Sequence, residues 1–503
     1  MNASRKHFLT ATAWSVMGLC LLGALQSAQA AAQRQPNIVF ILLDNCGSEW
    51  FGCYGSEEGC TPQIDRLARE GIRFEHCYAS PVCGPSRTML LTGRYPFRTG
   101  FTLHHDAALY GGGGLDPKRE IVWPRPLRDA GYATGIVGKW QINKLSDEPG
   151  ALRQHGFDEH VGWPGEVDRD KVAPADYEKF LAAVRADSVE GTALFVRQIE
   201  SRYWDPVLLR NGRRERLAGQ FGPDVMQRAA LDFVRRHRER PFLLYYPMVL
   251  THGRTFTEPV VPTPLNMDPN RPRQAMYADM VRYADRLVGQ FVESLDALGL
   301  RERTIIFVAT DNGTEKSMVA RRNGREVAGG LYTLTEAGGS VPLIVNCPKL
   351  LPGGRTVALA DFTDVYPTVC DLAGVLLPKN IVLDGRSHAP LLRGEPGAKP
   401  ARKWIFNQYH TTRVVRDIGF KLYSTGEFYD IAADPGEKTN LASIAEPPHA
   451  AARAAGRRAR FAAARLAAAV QAAQPVGVQA PRRIGSPQVA LVNSQLKETV
   501  KSN

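Results

Sequence analysis

A short, continuously apolar run from Asn37 to Leu43 (NIVFILL) constrains the fold more than any other feature of the sequence. Because its apolar residues do not alternate with polar ones, it is typical of a strand buried on both faces of a parallel sheet. Helical patterns near residues 224–238 and 276–298 separate further runs of this kind. These runs lie at residues 134–137, 242–250, 304–310 and 341–346. Strands alternating with helices predict an α/β domain with a large, mostly parallel or mixed sheet flanked by helices.

After about residue 395, long apolar runs and helical patterns give way to short strand-like segments. Short strand-like segments at residues 404–408, 414–415 and 420–423 predict a small antiparallel sheet. We therefore expect a main domain over residues 31–395 and a smaller C-terminal subdomain over residues 396–446. Residues 447–503 are rich in alanine and arginine at first, and they predict a helix followed by a flexible tail.

The first thirty residues have the pattern of a secretory signal peptide. Arg5 and Lys6 precede an apolar run at residues 16–25, and small residues at Ala28 and Ala30 suit cleavage near Ala30. The apolar run is too short to span a bilayer. We therefore expect a periplasmic or secreted protein with no stable membrane span.

The chain is basic, with a formal net charge of +12, and part of the excess lies near the C-terminus. Neither base-stacking aromatic residues nor a recognisable binding module accompanies those arginines, so we expect no nucleic-acid partner. An anionic substrate fits the charge, and a solvated basic surface explains it equally well.

The sharpest local signal is the string Cys83-Gly84-Pro85-Ser86-Arg87. Pro85 suits the first turn of a helix, so Cys83 would lie at a helix N-terminus, where free N–H groups favour an anion. Reactivity at Cys83 is one interpretation. A buried structural cysteine beside the start of a helix is the other, and these residues alone do not decide between them.

Two polar pairs follow predicted buried strands. Asp44-Asn45 comes after the first strand, and Asp311-Asn312 comes after the run that ends at Thr310. Because carboxyl ends of parallel strands meet at one edge of a sheet, both pairs can lie together there. Their oxygen ligands select calcium or magnesium. Asn312-Gly313 alone would suggest only a turn.

The chain resembles the formylglycine-dependent sulfatases, of the arylsulfatase type within the alkaline phosphatase superfamily. Cys83 to Arg87 matches their C-x-P-S-R signature, and Leu91-Thr92-Gly93-Arg94 matches the L-T-G-R that follows it. The resemblance extends from about Pro36 to Leu441. It includes Gly52-Cys53-Tyr54-Gly55, Gly138-Lys139-Trp140, Leu250-Thr251-His252, Thr310-Asp311-Asn312-Gly313, Phe428-Tyr429-Asp430 and Asp434-Pro435-Gly436-Glu437.

The resemblance implies a chemistry and a set of residue roles. A separate formylglycine-generating enzyme would oxidise Cys83, and the hydrated aldehyde would attack sulfur with one hydroxyl and release sulfate as the other collapses. Arg87 would steady the formylglycine. Lys139 and His252 would bind the sulfate, and one of them would help protonate the departing alcohol. A calcium ion, or alternatively magnesium, would be held by Asp44, Asn45, Asp311, Asn312 and the modified Cys83.

Three positions depart from the family pattern. Asn45 stands where an aspartate is usual, which lowers the ligand charge by one and predicts weaker metal binding with a stronger pull on anions. Gln141, a substrate-binding position, follows Lys139-Trp140 where the family most often has a histidine. Glutamine cannot exchange a proton near neutral pH. Leu331 replaces a lysine, and Lys316, Arg321 or Arg322 are candidates to compensate for the lost charge.

The resemblance predicts hydrolysis of aryl or carbohydrate sulfate esters, with a sulfated small molecule or glycan as the partner. Two alternatives stay open: a catalytically impaired, sulfatase-like binding protein, and a phosphate or phosphonate ester hydrolase of the same superfamily. Gln141 and Leu331 favour the first alternative, whereas the intact Cys83 motif argues against it. The alcohol part of the substrate would be selected by loops. Candidates are residues 110–115 and 163–221, together with His410 and Arg413.

Overall fold

The computed structural model describes residues 35–103, 113–167, 176, 199–253, 261–262 and 272–443. The predicted signal peptide at residues 1–30 and the predicted tail at residues 447–503 lie outside the described residues.

The main body of the chain alternates strands and helices, as the sequence predicts. The strands are β1 (Asn37–Leu43), β2 (Ile72–Tyr78), β3 (Ala133–Lys139), β4 (Glu159–Trp163), β5 (Val207–Arg210), β6 (Arg213–Arg216), β7 (Phe242–Pro247), β8 (Thr304–Thr310), β9 (Val319–Arg322), β10 (Arg325–Ala328), β11 (Ser340–Asn346), β12 (Gly354–Asp361), β13 (Ile405–Tyr409), β14 (Thr412–Arg416), β15 (Phe420–Tyr423) and β16 (Phe428–Asp430). The α-helices of the described residues are α1 (Pro62–Glu70), α2 (Cys83–Thr92), α3 (Pro96–Thr99), α4 (Pro124–Asp129), α5 (Ala151–Gln154), α6 (Gly222–His237), α7 (Arg273–Ala297), α8 (Glu336–Gly339), α9 (Val365–Ala373) and α10 (Ala389–Leu392). Short 3₁₀ helices lie at Ser48–Trp50, Gly52–Tyr54, Arg301–Arg303, Phe362–Asp364 and Leu441–Ser443.

A ten-stranded mixed sheet forms the centre of the main domain, in the order β12-β2-β11-β8-β1-β7-β3-β4-β5-β6. Its five central strands, from β8 to β4, run parallel to one another. Antiparallel pairs flank this parallel centre at β8–β11 and at β4–β5. The predicted α/β fold class is therefore confirmed.

Both faces of the central sheet are covered. Residues of β1 alternate between two hydrophobic layers, with Phe40 in one and Ile41 in the other. Helices α2, α4 and α9 supply the layer that contains Phe40. Helices α1, α6 and α7 supply the layer that contains Ile41. Burial on both faces explains why the whole of β1 is apolar after Asn37.

The predicted small antiparallel sheet is also present, and its four strands follow the chain in the order β13-β14-β15-β16. Glu336 of α8 joins it to the main domain, because its carboxylate pairs with Arg416 at 3.1 Å and with Lys421 at 3.2 Å. Glu437 accepts a second bond from the Lys421 ammonium at 2.8 Å. These side chains connect the small sheet to the loops that follow β10.

Neither a disulfide nor a membrane-spanning helix is found among the described residues. The seven cysteines of the described residues, from Cys46 to Cys370, are all free thiols. No helix in the described ranges is both long enough and apolar enough to cross a bilayer.

Candidate active site

Two acidic side chains meet where β1 and β8 end. Leu43 and Thr310 are register partners at the ends of these parallel strands, so Asp44 and Asp311 leave the sheet side by side. Both carboxylates are fully buried. The shared carboxyl edge of parallel strands therefore brings together the two acids that the sequence singled out.

Asn45 and Asn312 complete the two polar pairs. The backbone N–H of Asn45 donates to Asp311 Oδ1 at 3.1 Å, and Asn312 Nδ2 donates to Asn45 Oδ1 at 2.7 Å. Asn45 has a φ of 58°, in the left-handed region that asparagine and aspartate tolerate better than most residues. This turn directs its amide back toward the strand ends.

Cys83 is the first residue of α2, a helix whose ten residues are all buried. Val82 before it is extended, and Gly93 ends the helix in the left-handed conformation. The Sγ atom of Cys83 lies 3.9 Å from Asn45 Oδ1. A helix N-terminus presents free backbone N–H groups, which can donate to an anionic ligand bound beside Cys83.

Arg87 extends from the next turn of α2 and ties the site together. Its Nε and Nη2 atoms donate to Asp311 Oδ2 at 3.0 and 2.8 Å, which is a forked interaction with one oxygen. Its Nη1 donates to the backbone carbonyl of Lys139 at 2.9 Å. Arg87 thereby fixes α2 against the ends of both β3 and β8.

Lys139 is the last residue of β3, and its Nζ atom donates to Asp44 Oδ2 at 2.6 Å. The residue before it, Gly138, lets β3 pack directly against the end of β7, since a Cβ at position 138 would collide with the carbonyl oxygen of Pro247. The ammonium group of Lys139 is almost fully buried, with 1 % of the residue exposed. It stays in the site because Asp44 balances its charge.

His252 reaches the same place from the loop after β7. One ligand atom each from Asp44, Cys83 and His252 lies within 4.8 Å of the others, so the three side chains converge on a single point. The hydroxyl of Tyr203 donates to the carbonyl of His252 at 2.7 Å and so anchors this loop.

Burial and charge act in opposite directions on the ionisable groups. Burial would raise the pKa of Asp44, but the charges of Lys139 and Arg87 outweigh it and the pKa lies below its ordinary value. Burial raises the pKa of Asp311 to about 6, and the charge of Asp44 adds to the effect. Burial also raises the pKa of Cys83 to about 11, so the unmodified thiol stays protonated at neutral pH and is a weak nucleophile.

The acceptor oxygens of the site fit a hard cation. Asp44 Oδ1 and Asn312 Oδ1 are buried and accept no hydrogen bond from any described residue. A buried oxygen without a donor is costly, and a calcium or magnesium ion would satisfy it. Asn45 links the other two members of the set, since its backbone N–H donates to Asp311 Oδ1 and its Oδ1 accepts from Asn312 Nδ2.

The remaining departures from the family pattern also lie inside the protein. Gln141 is buried with a φ of 67°, and Leu331 is buried with 6 % of its surface exposed. Two of the three cations suggested as substitutes for a lysine at 331 have partners elsewhere: Arg321 pairs with Glu57, and Arg322 donates to Ser48 Oγ. Lys316 is exposed.

Arg202 lies at the site, and sequence reasoning had not singled it out. Its charge helps to lower the pKa of Asp44, after the larger effects of burial, Lys139 and Arg87. The only available signal was its place inside residues 163–221, which were expected to contribute to specificity. No motif marks the position, because it reaches the site through aromatic packing rather than through a strand end.

A family model and individual relatives of this chain all point to one protein family. A family model described as Sulfatase matches residues 36–375. Human arylsulfatase D is 31 % identical over 447 residues, which cover 77 % of this chain and 73 % of that protein. The N-acetylgalactosamine-6-sulfatase of Canis lupus familiaris is 32 % identical over 404 residues, which cover 76 % of this chain and 70 % of that protein.

The architecture is also shared with solved structures. The crystal structure of Ps i-CgsB in complex with k-i-k-neocarrahexaose superposes with a TM-score of 0.67 at 25 % sequence identity. The match covers 92 % of this chain and 98 % of that chain. The similarity therefore includes most of the chain.

Proposed function

The chain belongs to the sulfatase family of sulfuric ester hydrolases, and from this premise we propose that it hydrolyses sulfate esters with a formylglycine made from Cys83 and a bound calcium ion. The observation that carries the proposal is the convergence of Cys83, Asp44 and His252 within 4.8 Å at the N-terminus of α2. Lys139 and Arg87 surround the same point.

The donor set supports calcium. Asp44, Asn45, Asp311 and Asn312 would hold the ion through carboxylate and amide oxygens, which are the ligands this cation prefers. When bound, it would withdraw charge from the sulfate oxygens. The formylglycine, when formed and hydrated, would provide the attacking hydroxyl at position 83.

The chain's own cations have separate tasks in the proposal. Arg87 holds the N-terminal turn of α2 in register with Asp311, so the side chain at 83 keeps one orientation. Lys139 has an ammonium group with three donors, of which Asp44 takes one, so it can also donate to a sulfate oxygen. His252 would give a proton to the departing alcohol, and Gln141 would bind without exchanging one.

We extend the proposal to aryl and carbohydrate sulfates as the substrate class. One relative is named arylsulfatase D and another N-acetylgalactosamine-6-sulfatase, and one similar structure holds k-i-k-neocarrahexaose. We also propose that residues 1–30 direct export and are removed near Ala30. Mass spectrometry of the exported protein tests this, because the mature N-terminus would follow Ala30.

The deciding experiment measures inorganic sulfate released from a panel of aryl and carbohydrate sulfates. The protein is co-expressed with a formylglycine-generating enzyme and supplied with calcium, and mass spectrometry of the Cys83 peptide reports the conversion. We expect release by the converted protein and none by Cys83→Ala, because that variant lacks the nucleophile. Cys370→Ala, which alters another buried cysteine in α9, is the matched control and should keep the activity.

Full conversion of Cys83 without sulfate release from any member of the panel would contradict the proposal. Release of phosphate from phosphate esters by the same sample would then favour the phosphoryl alternative. Binding of sulfated compounds without turnover would favour a binding protein.

A further inference from the structure

The guanidinium group of Arg202 is a cation beside the active site with no assigned partner. Its Nη1 atom is buried and forms no hydrogen bond with the described residues. Among those residues, no carboxylate forms an ion pair with it either. Burying part of a charge without a partner is unfavourable, so this arrangement calls for an anion.

Two contacts hold Arg202 in place. Its guanidinium carbon lies 4.0 Å from the centroid of the Trp163 ring, which is a close cation–π stack. The same indole donates its Nε1–H to the carbonyl of Glu200 at 2.8 Å and so fixes the chain two residues earlier. A guanidinium that stacks through its face keeps the N–H groups at its edge available to a ligand.

The next residue, Tyr203, also restricts the position of Arg202. The hydroxyl of Tyr203 has one hydrogen, which is shared between the carbonyl of His252 at 2.7 Å and that of Val249 at 3.0 Å. These bonds attach the segment at residues 202–203 to the loop that carries His252. Arg202 is therefore held between two anchored points rather than on a free surface loop.

The position of Trp163 connects this stack to the catalytic cations. Trp163 ends β4 and is the register partner of Lys139, which ends β3. The stacked Arg202 thus lies on the side of the site where Lys139 enters.

We propose that Arg202 binds an oxygen of the substrate's sulfate group together with Lys139, and that it is a substrate-binding residue of this enzyme. The inference rests on the proposed function, since it requires a sulfate ester in the site. Leu331 provides no charge, and neither Arg321 nor Arg322 is free to do so. Arg202 supplies the missing cation from a different segment of the chain.

The test measures binding of inorganic sulfate by titration calorimetry, with calcium present, to protein that carries Cys83→Ala. This readout needs neither maturation nor turnover. We expect Arg202→Gln to weaken sulfate binding about tenfold, because a charge-assisted hydrogen bond is lost. The matched control is Arg286→Gln, which removes a similar stack on Tyr283, at 4.1 Å, from an exposed position on α7. It should bind sulfate as the parent does.

Arg202→Lys provides a second variant that keeps the charge and the aliphatic stem. It should bind sulfate more weakly than the parent but more tightly than Arg202→Gln, since a single ammonium replaces a planar fork of donors. If Arg202→Gln does not fold, a deficit in Arg202→Lys relative to Arg286→Lys supports the inference. Equal affinity of folded Arg202 variants and parent would overturn it.

The outcomes separate this inference from the proposed function. Sulfate release by the matured parent, combined with unchanged sulfate affinity in Arg202→Gln, would remove Arg202 from the site and leave the sulfatase activity standing. Weakened sulfate binding in Arg202→Gln, combined with no turnover by the matured parent, would support the anion site and count against hydrolysis.

Discussion

At the scale of single residues, Asn45 is a position where one substitution would change the charge of the site. Its amide oxygen accepts from Asn312 Nδ2 and its backbone N–H donates to Asp311 Oδ1, so a carboxylate side chain at this position would add a negative charge to the site. Its left-handed backbone conformation is tolerated by aspartate as well as by asparagine. A change of charge can therefore be made at this position without straining the turn.

We predict that Asn45→Asp raises calcium affinity about tenfold, since calcium binds carboxylates more strongly than amides. Calcium titration calorimetry on the Cys83→Ala background measures this. Asn211→Asp is the matched control, because Asn211 also has a left-handed φ, of 47°, but is exposed. An affinity equal to that of the parent would contradict the assignment of Asn45 as a ligand.

The residues of the site differ in how far the sequence could predict their placement. Asp44 and Asp311 follow buried parallel strands, so the topology of the sheet brings them together. Arg202 depends on the ring of Trp163 and on the hydroxyl of Tyr203, and neither contact leaves a periodic pattern. Packing between loops follows from the folded geometry, which a single sequence does not specify.

Among secondary-structure elements, the junction of α1 and α7 contains a buried acid. Asp285 of α7 accepts hydrogen bonds from the backbone N–H groups of Gln63 at 3.1 Å and Ile64 at 2.8 Å, in the first turn of α1. Thr61, the N-cap residue of α1, makes no capping bond with its side chain. The cap is therefore supplied by another helix.

Burial raises the pKa of Asp285 from 3.8 to about 6, against the effect of the two backbone hydrogen bonds. The folded state thus holds a proton between these pH values that the unfolded chain releases. The contribution of Asp285 to stability is most favourable below pH 4 and is lost as the pH rises through about 6.

We therefore predict that, between pH 4 and pH 7, the parent loses about 2 kcal/mol of unfolding free energy relative to Asp285→Asn, which cannot ionise. Urea unfolding across this pH range measures the difference. Asp296→Asn on the exposed side of the same helix serves as the control and should follow the parent. A constant difference between parent and Asp285→Asn would show that the acid does not titrate in this range.

The boundaries of elements were less predictable than their existence. The run at residues 242–250 was expected to form one strand, but β7 ends at Pro247. Proline lacks the N–H group needed to continue the ladder, and residues 248–250 instead lead toward His252. An apolar segment that turns into an active site looks the same in sequence as one that stays in the sheet.

At the scale of the whole molecule, the small sheet is joined to the main domain by a buried ionic cluster. Lys421 is 2 % exposed and binds both Glu336 and Glu437. Tyr78 at the end of β2 donates to Glu336 at 2.5 Å. Removing the lysine would leave Glu437 without its ion-pair partner and Glu336 with Arg416 alone.

We predict that Lys421→Met destabilises the protein by about 3 kcal/mol, because breaking a buried ion pair leaves uncompensated charge. Chemical denaturation followed by circular dichroism measures the loss. Lys349→Met is the control, since Lys349 and Glu302 form an exposed pair and the change there should be within about 0.5 kcal/mol. Equal stabilities of the two variants would show that the cluster does not support the junction.

The layered architecture was predictable from the sequence, whereas the order of its strands was not. Continuous apolar runs specify that a strand has two covered faces, but they do not specify its neighbours. For example, β2 lies between β12 and β11 near one edge, although it follows β1 in the chain. Side-chain periodicity carries no information about which edges pair.

The burial of Cys83 would set a time limit on the proposed modification of this residue. Only 3 % of this residue is exposed in the folded protein, and Asn45 beside it is hydrogen-bonded to Asn312, which lies 267 positions further along the chain. An enzyme that oxidised Cys83 would have to act while α2 is still accessible, before strands from distant parts of the chain close over it. Topologies dominated by distant contacts fold slowly, so the arrangement that encloses the cysteine also lengthens the interval in which it can be reached. The yield of active protein would then depend on the rate of Cys83 oxidation relative to the rate of the folding that buries it.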